Sequence, residues 1–155
     1  MDIAPTILTL AGIDSPDHFQ GHSFDRLLTE PDLPFRNYLF AEHNWHDYEA
    51  HERMVRNENY MYILNSRPMQ PQNGPLDAVG SPSFKELEIL KDQGQLSAIQ
   101  ADVFMVPRPH EELYDYSRDP LQLLNVASLP EYAETLKSMR NILSEWMTET
   151  GDNIP

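Results

Sequence analysis

The sequence predicts an α+β fold in which three or four short strands form a small antiparallel sheet with helices at its periphery. Three observations carry this reading. Two β-type runs, residues 53–56 and 60–64, flank the polar triplet Asn57-Glu58-Asn59 and read as a hairpin. Across residues 130–150, Tyr132, Leu136, Met139, Leu143 and Trp146 recur at three- and four-residue spacing, the single apolar face of a long helix. Strands and helices do not alternate in the βαβ manner that builds a parallel sheet.

The remaining elements follow in chain order. Asp2 is placed to cap a first helix with Pro5 in its first turn; Ile3, Ile7, Leu8, Leu10 and Ala11 form its apolar stripe and Gly12 ends it. Ser23 caps a short helix at 24–28 that Pro31 and Pro34 stop. Residues 36–42, rich in Tyr, Leu and Phe, form a strand ahead of the hairpin. Residues 66–82 carry Pro68, Pro71, Asn73, Gly74, Pro75, Gly80 and Pro82 and form a long loop of the kind that is usually functional or mobile. Ser83 caps a helix at 84–93 with Leu87, Ile89 and Leu90 apolar, and Gly94 ends it. Residues 112–116 form the last strand. Ser117-Arg118-Asp119-Pro120 then turns, because the residue before a proline avoids the helical region. Pro130 opens the terminal helix and Gly151 closes it.

Length and composition set outer bounds. A chain of 155 residues is domain-sized and can support a core without metal or disulfide staples. A formal charge of −14 argues against nucleic acid and against an anionic membrane surface as partners. The longest apolar stretch, residues 7–13, is too short to span a bilayer, and no secretory leader is visible. The absence of cysteine removes disulfides, thiolate zinc sites and thiol nucleophiles. The first helix begins at once, with no lead-in, which reads as a start inside a larger protein.

The densest polar cluster runs from Glu42 to Arg53 and holds His43, His46 and His51. On a helix, His43, Asp47 and His51 would share one face with His46 beside them, a set able to ligate a transition metal. No known ligand spacing is matched, so contact with a substrate and a plain solvated loop stand as the other two readings. Ser66-Arg67-Pro68-Met69-Gln70 approximates Ser-x-Pro-x-Arg but has Gln70 where the arginine belongs, and it is rejected as a catalytic motif. There is no Gly-rich phosphate loop and no Gly-x-Ser-x-Gly elbow. Arg53, Arg56, Arg108 and Arg118 could each grip an anion with a planar fork, or simply pair with the surplus carboxylates.

Several segments together resemble the sulfatases. They are Asp2-Ile3-Ala4-Pro5-Thr6-Ile7-Leu8 with Ala11-Gly12-Ile13; Gln20-Gly21-His22-Ser23-Phe24 with Leu27-Leu28; Phe40-Ala41-Glu42 with the hairpin; and Glu112-Leu113-Tyr114-Asp115 followed by Asp119-Pro120 and Asn125-Val126-Ala127. The last group is the most specific, and residues 81–84 and 108–119 look closest to heparan N-sulfatases (sulfamidases). The resemblance implies the C-terminal portion of such an enzyme. Residues 1–35 would end the large alkaline-phosphatase-like α/β domain, and residues 36–155 would form the small domain, a four-stranded antiparallel sheet with a helix on it.

The resemblance further implies a parent that hydrolyses sulfate esters or sulfamates on glycosaminoglycan sugars with calcium and formylglycine, both held by the N-terminal catalytic domain. The Cys/Ser-x-Pro-x-Arg motif and the calcium-binding acidic pairs are absent here, so the chain carries no catalytic residue, metal site or cofactor of its own and should be inactive alone. By position, residues 42–53 would touch the sugar, with His43, His46 and His51 hydrogen bonding and Arg53 holding an anion. Rival readings are a stand-alone carbohydrate-binding or protein-interaction module and a small metalloenzyme at residues 43–51. The lack of an Asn-x-Ser/Thr sequon favours a bacterial periplasmic or secreted parent over a lysosomal one.

Overall fold

A computed structural model describes residues 1–71 and 74–152; Asn73 of the predicted loop lies outside them. The chain forms two compact units, Met1–Asn37 and Tyr38–Pro155. No helix among the described residues is long and apolar enough to cross a membrane.

In the first unit, helix α1 spans Ile3–Leu10 and Gly12 follows it at φ 71°, the left-handed turn the sequence predicts. Asp2 stands at its N-cap position, but its side chain makes no capping bond. Its carboxylate instead accepts the His22 amide at 2.9 Å and pairs with the Arg36 guanidinium. The predicted second helix is a tighter 3-10 turn at Asp25–Leu28, with the Ser23 hydroxyl accepting the Asp25 amide at 3.2 Å.

The second unit is a four-stranded antiparallel meander: β1 Leu39–Trp45, β2 Glu49–Arg56, β3 Tyr60–Asn65 and β4 Glu111–Asp115, hydrogen bonded in that order. The hairpin forms where expected because the Asn57 side chain accepts the amides of Asn59 at 2.9 Å and Tyr60 at 2.7 Å. Strand β1 begins three residues later than predicted and runs on to Trp45. The long loop contains a single turn of helix, α2 at Leu76–Val79. Helix α3 spans Pro82–Asp92 and is capped by Ser81, which accepts the Phe84 amide at 3.2 Å, rather than by Ser83. Pro82 supplies the preset φ of the first helical position, which moves the cap one residue ahead of it. Another single turn, α4 at Ala98–Ala101, precedes β4.

A 3-10 turn at Pro130–Tyr132 leads into helix α5, Ala133–Thr150, which ends at Gly151 with φ 69°. The core lies between the sheet and α5: Val55, Tyr62 and Leu113 from the strands meet Val126, Tyr132, Met139 and Leu143. Phe40 stacks on Trp146 with centroids 4.9 Å apart. Alternation along β2 buries His51, Arg53 and Val55 on one face, two polar residues in line with one apolar one.

The most family-specific residues turn out to stitch the segment after β4 to the strand. The Asn125 carboxamide accepts the amides of Leu113 and Ala127, both at 3.0 Å, and donates to the Glu111 carbonyl at 3.2 Å. The Asp115 carboxylate accepts the Ser117 hydroxyl, the Ser117 amide at 2.9 Å and the Tyr132 hydroxyl at 2.8 Å; the Ser117 hydroxyl, with Tyr132 behind it, holds its pKa below the usual carboxylate range. Asp119 accepts the Leu124 amide at 2.8 Å. The signature is thus a set of side chains that replace missing strand partners.

Candidate functional site: a cleft at the β1–β2 turn

Residues 43–51 are not a helix. They are the ends of two strands joined by a short turn, so the face shared by His43, Asp47 and His51 does not exist. Pairing runs from His43 with Glu52 to Trp45 with Glu49, a register shift of the β-bulge kind. Between them and the segment after β3 lies a cavity of about 300 Å³ whose walls include Trp45, Tyr48, Asn65 and Arg67. Trp45 is 68% exposed on this edge strand.

The polar lining is arranged in pairs. His43 Nδ1 lies 3.1 Å from a Glu52 oxygen across the strands, and His46 Nδ1 lies 3.2 Å from Asp47. Asp47 also accepts the Leu76 amide at 2.7 Å, which ties the loop to the turn. Arg67 Nε donates to Glu49 at 3.1 Å. The Asn65 side chain accepts the Arg67 amide at 2.9 Å, and the Ser66 amide donates to the His51 carbonyl at 2.9 Å. Arg108 lies buried between Glu112 and Asp102, at 3.2 Å from each.

His51 forms the inner wall and is buried. Its Nε2 lies 3.3 Å from an Arg53 amino group. A guanidinium only donates, so Nε2 accepts and the neutral ring carries its proton on Nδ1. That Nδ1 finds no hydrogen-bond partner among the described residues. Burial, reinforced by the Arg53 charge, pushes the imidazole pKa below its ordinary value.

Arg53, expected to hold an anion of the substrate, does not line the cavity. It is 2% exposed, and its fork grips the Asp152 carboxylate beyond the end of α5, with the second contact at 2.9 Å. That bond holds Asp152 below the usual carboxylate range and raises Arg53. Arg56 stacks over the Tyr116 ring at 4.3 Å, and Arg118 sits 3.8 Å from Asp115. The three histidines do come together. Asn65 and Arg67, drawn in from β3 and the segment after it, were missed because nothing local distinguishes them. Trp45 could have been found, as an aromatic residue set among polar ones on a strand.

Among the described residues no group of three or more His, Asp or Glu side chains converges where an ion could sit. The chain also has no Cys/Ser-x-Pro-x-Arg segment. The described residues therefore do not form a site that fits calcium or formylglycine.

The shifted groups fix the sign of the pH dependence. For His51, whose ordinary value is 6.5, the unfolded chain takes up a proton that the folded chain refuses, so stability falls as pH drops below about 6.5. Asp115 and Asp152, ordinarily 3.8, and Glu111, ordinarily 4.5 and lowered chiefly by Arg140, add stability above those values that is lost on further acidification. Thermal melts at constant ionic strength should decline first below about 6.5 and more steeply below about 4.5. His51→Asn should remove the first decline only; a melting temperature that rises on mild acidification contradicts the assignment.

No protein-family model matches the chain. An ulvan-active sulfatase of Formosa agariphila is 36% identical over 159 residues, covering 100% of this chain and 26% of that protein. Human N-sulphoglucosamine sulphohydrolase is 28% identical over 98% of this chain and 32% of its own length. Among solved structures, a 2-O GAG sulfatase superposes with a TM-score of 0.63 at 24% identity, covering 97% of this chain and 25% of that one. The chain thus spans about a quarter of the length of the curated relatives it matches. It is, over its whole length, a homologue of the sulfatases and corresponds to their C-terminal portion.

Proposed function

We propose that this chain is the C-terminal part of a sulfatase acting on sulfated glycosaminoglycan-type sugars, and that it supports the catalytic domain and supplies one wall of the sugar site. The observation that carries this reading is the match to sulfatases along the entire chain, at 36% identity in one case. Residues 1–35 would complete the large alkaline-phosphatase-like domain and residues 36–155 would be the small domain. Calcium and formylglycine would belong to the N-terminal catalytic domain, and the parent would be periplasmic or secreted. The wall of the sugar site would be the cleft of His43, His46 and His51, with the exposed Trp45 beside them. An aromatic face with a few convergent polar groups is the usual make-up of a small-molecule cleft. Arg53 would act through the fold, by holding His51 in place. A stand-alone binding module has no comparable support.

A chimera tests this. The chain would replace the matching C-terminal quarter of the Formosa agariphila ulvan-active sulfatase, and sulfate release from ulvan would be followed. The chimera should hydrolyse ulvan well above the level of the same enzyme truncated at the junction, while the isolated 155-residue chain should release no sulfate. A folded chimera no better than the truncated enzyme, or release by the chain alone, overturns the proposal.

A further inference from the structure

We propose that His51 is an acid-operated rotor in the molecule: neutral, its ring leans back on Arg53; protonated, it swings forward and fills part of the neighbouring cavity with the chain's own side chain. The inference adds a regulation to the cleft, and it rests on the sugar-site reading only for what the ring would shut out.

The ring has one polar hold among the described residues. Nε2 accepts from an Arg53 amino group at 3.3 Å, while Nδ1 carries a buried proton that reaches no acceptor. Protonation abolishes that hold. An imidazolium donates from both nitrogens and keeps no lone pair to accept with, so two cationic N–H groups would face each other across 3.3 Å. Arg53 cannot step aside without stranding its own charge. It is 2% exposed, forked onto the Asp152 carboxylate and bonded to the Glu52 carbonyl at 2.9 Å, and Glu42, the other carboxylate near it, lies 4.0 Å away. The ring is the part free to move.

In front of the ring lies the cavity of about 300 Å³, which Arg53 does not line and which has room for solvent. Its walls hold the carboxylates of Asp47, Glu49 and Glu52 and the guanidinium groups of Arg67 and Arg108. His46 and His43 already stand 3.2 Å from Asp47 and 3.1 Å from Glu52, so charging them forms ion pairs on the spot. His51 has no such partner where it sits. With all the other groups charged, three carboxylates face two arginines and two imidazoliums, a small positive excess. Loss of the Arg53 contact and hydration of the new charge therefore drive the swing, not net attraction. Burial and the Arg53 charge keep the ring neutral to lower pH than an exposed imidazole, which sets the change below the ordinary 6.5. The proton acts as a ligand that prefers one of two ring positions. By linkage, anything that fills the cavity holds the ring back and opposes its protonation.

The test is a pH titration of the full chain, without sugar, followed by nuclear magnetic resonance of the imidazole nitrogens, the His51 ring protons and the Arg53 Nε–H. At neutral pH the ring should carry its proton on Nδ1 and show contacts to the Arg53 side chain. Through its titration, below 6.5, those contacts should disappear and contacts to cavity residues such as Tyr48 or Arg67 should replace them. The Arg53 Nε–H should stay protected by Asp152 throughout. In the double variant Arg53→Met, Asp152→Ala no cation stands behind the ring, and it should titrate nearer 6.5 than in the parent. The parent titration decides alone if that variant does not fold. A neutral ring protonated on Nε2, a ring that protonates without moving, an Arg53 Nε–H released as His51 titrates, or no titration of His51 before the chain unfolds overturns the proposal. None of these results touches the sulfatase reading, which stands or falls with the chimera.

Discussion

Replacing Asp152 with alanine should destabilise the Tyr38–Pro155 unit by about 3–5 kcal/mol, the usual effect of removing one partner from a buried ion pair. Arg53, 2% exposed, would keep the Glu52 carbonyl at 2.9 Å, the His51 Nε2 at 3.3 Å and a distant Glu42 oxygen at 4.0 Å, too little to offset its desolvation. Urea denaturation should show a lower midpoint with an unchanged slope. The double variant Arg53→Met, Asp152→Ala should lose less than Asp152→Ala alone, because no charge is then stranded. A loss below about 1 kcal/mol in the single variant would mean that the pair behaves as a surface contact.

Leu143→Ala should lower stability by about 2–5 kcal/mol, through lost burial and the cavity left behind. Leu143 is 1% exposed and sits on the face of α5 that meets Tyr62 and Leu113, each at 0%. Close packing on both sides leaves little room for the strands and helix to collapse into the gap. Leu121→Ala is the matched control: Leu121 is 76% exposed and its truncation should stay within about 0.5 kcal/mol of the parent. Equal effects from the two substitutions would show that the apolar face of α5 is not where the stability resides.

The elements that could be read from the sequence are those whose signal is local. The hairpin rests on Asn57 bonding its own neighbours two and three residues on, and α5 rests on apolar spacing within one segment. The edge strand β1 was harder, because most of it is exposed and carries no apolar alternation past Phe40. The polar run 43–51 was therefore open to a helical reading, and only pairing with β2 decides against it. The histidines of the cleft could be named from their density alone. The fate of Arg53 could not: its partner lies 99 residues away, and neither residue carries a local mark of the other. Arg67 and Asn65 reach the cleft only because β3 ends beside β2.

The Arg53–Asp152 bond also bears on how the chain matures during synthesis. Strands β1 to β3 lie within residues 39–65 and can leave the ribosome and pair early, but the guanidinium buried in β2 has only the distant Glu42 carboxylate, at 4.0 Å, as counter-ion until residue 152 has been made. At the usual pace of about 5–20 residues per second, that interval lasts several seconds. In that time the inner wall of the cleft is held by the hairpin alone, with a weakly neutralised charge at its back. The part of the molecule proposed to bind sugar should be the last to become rigid, and nascent chains halted before Asp152 should show a formed hairpin but a solvent-accessible His51 side chain.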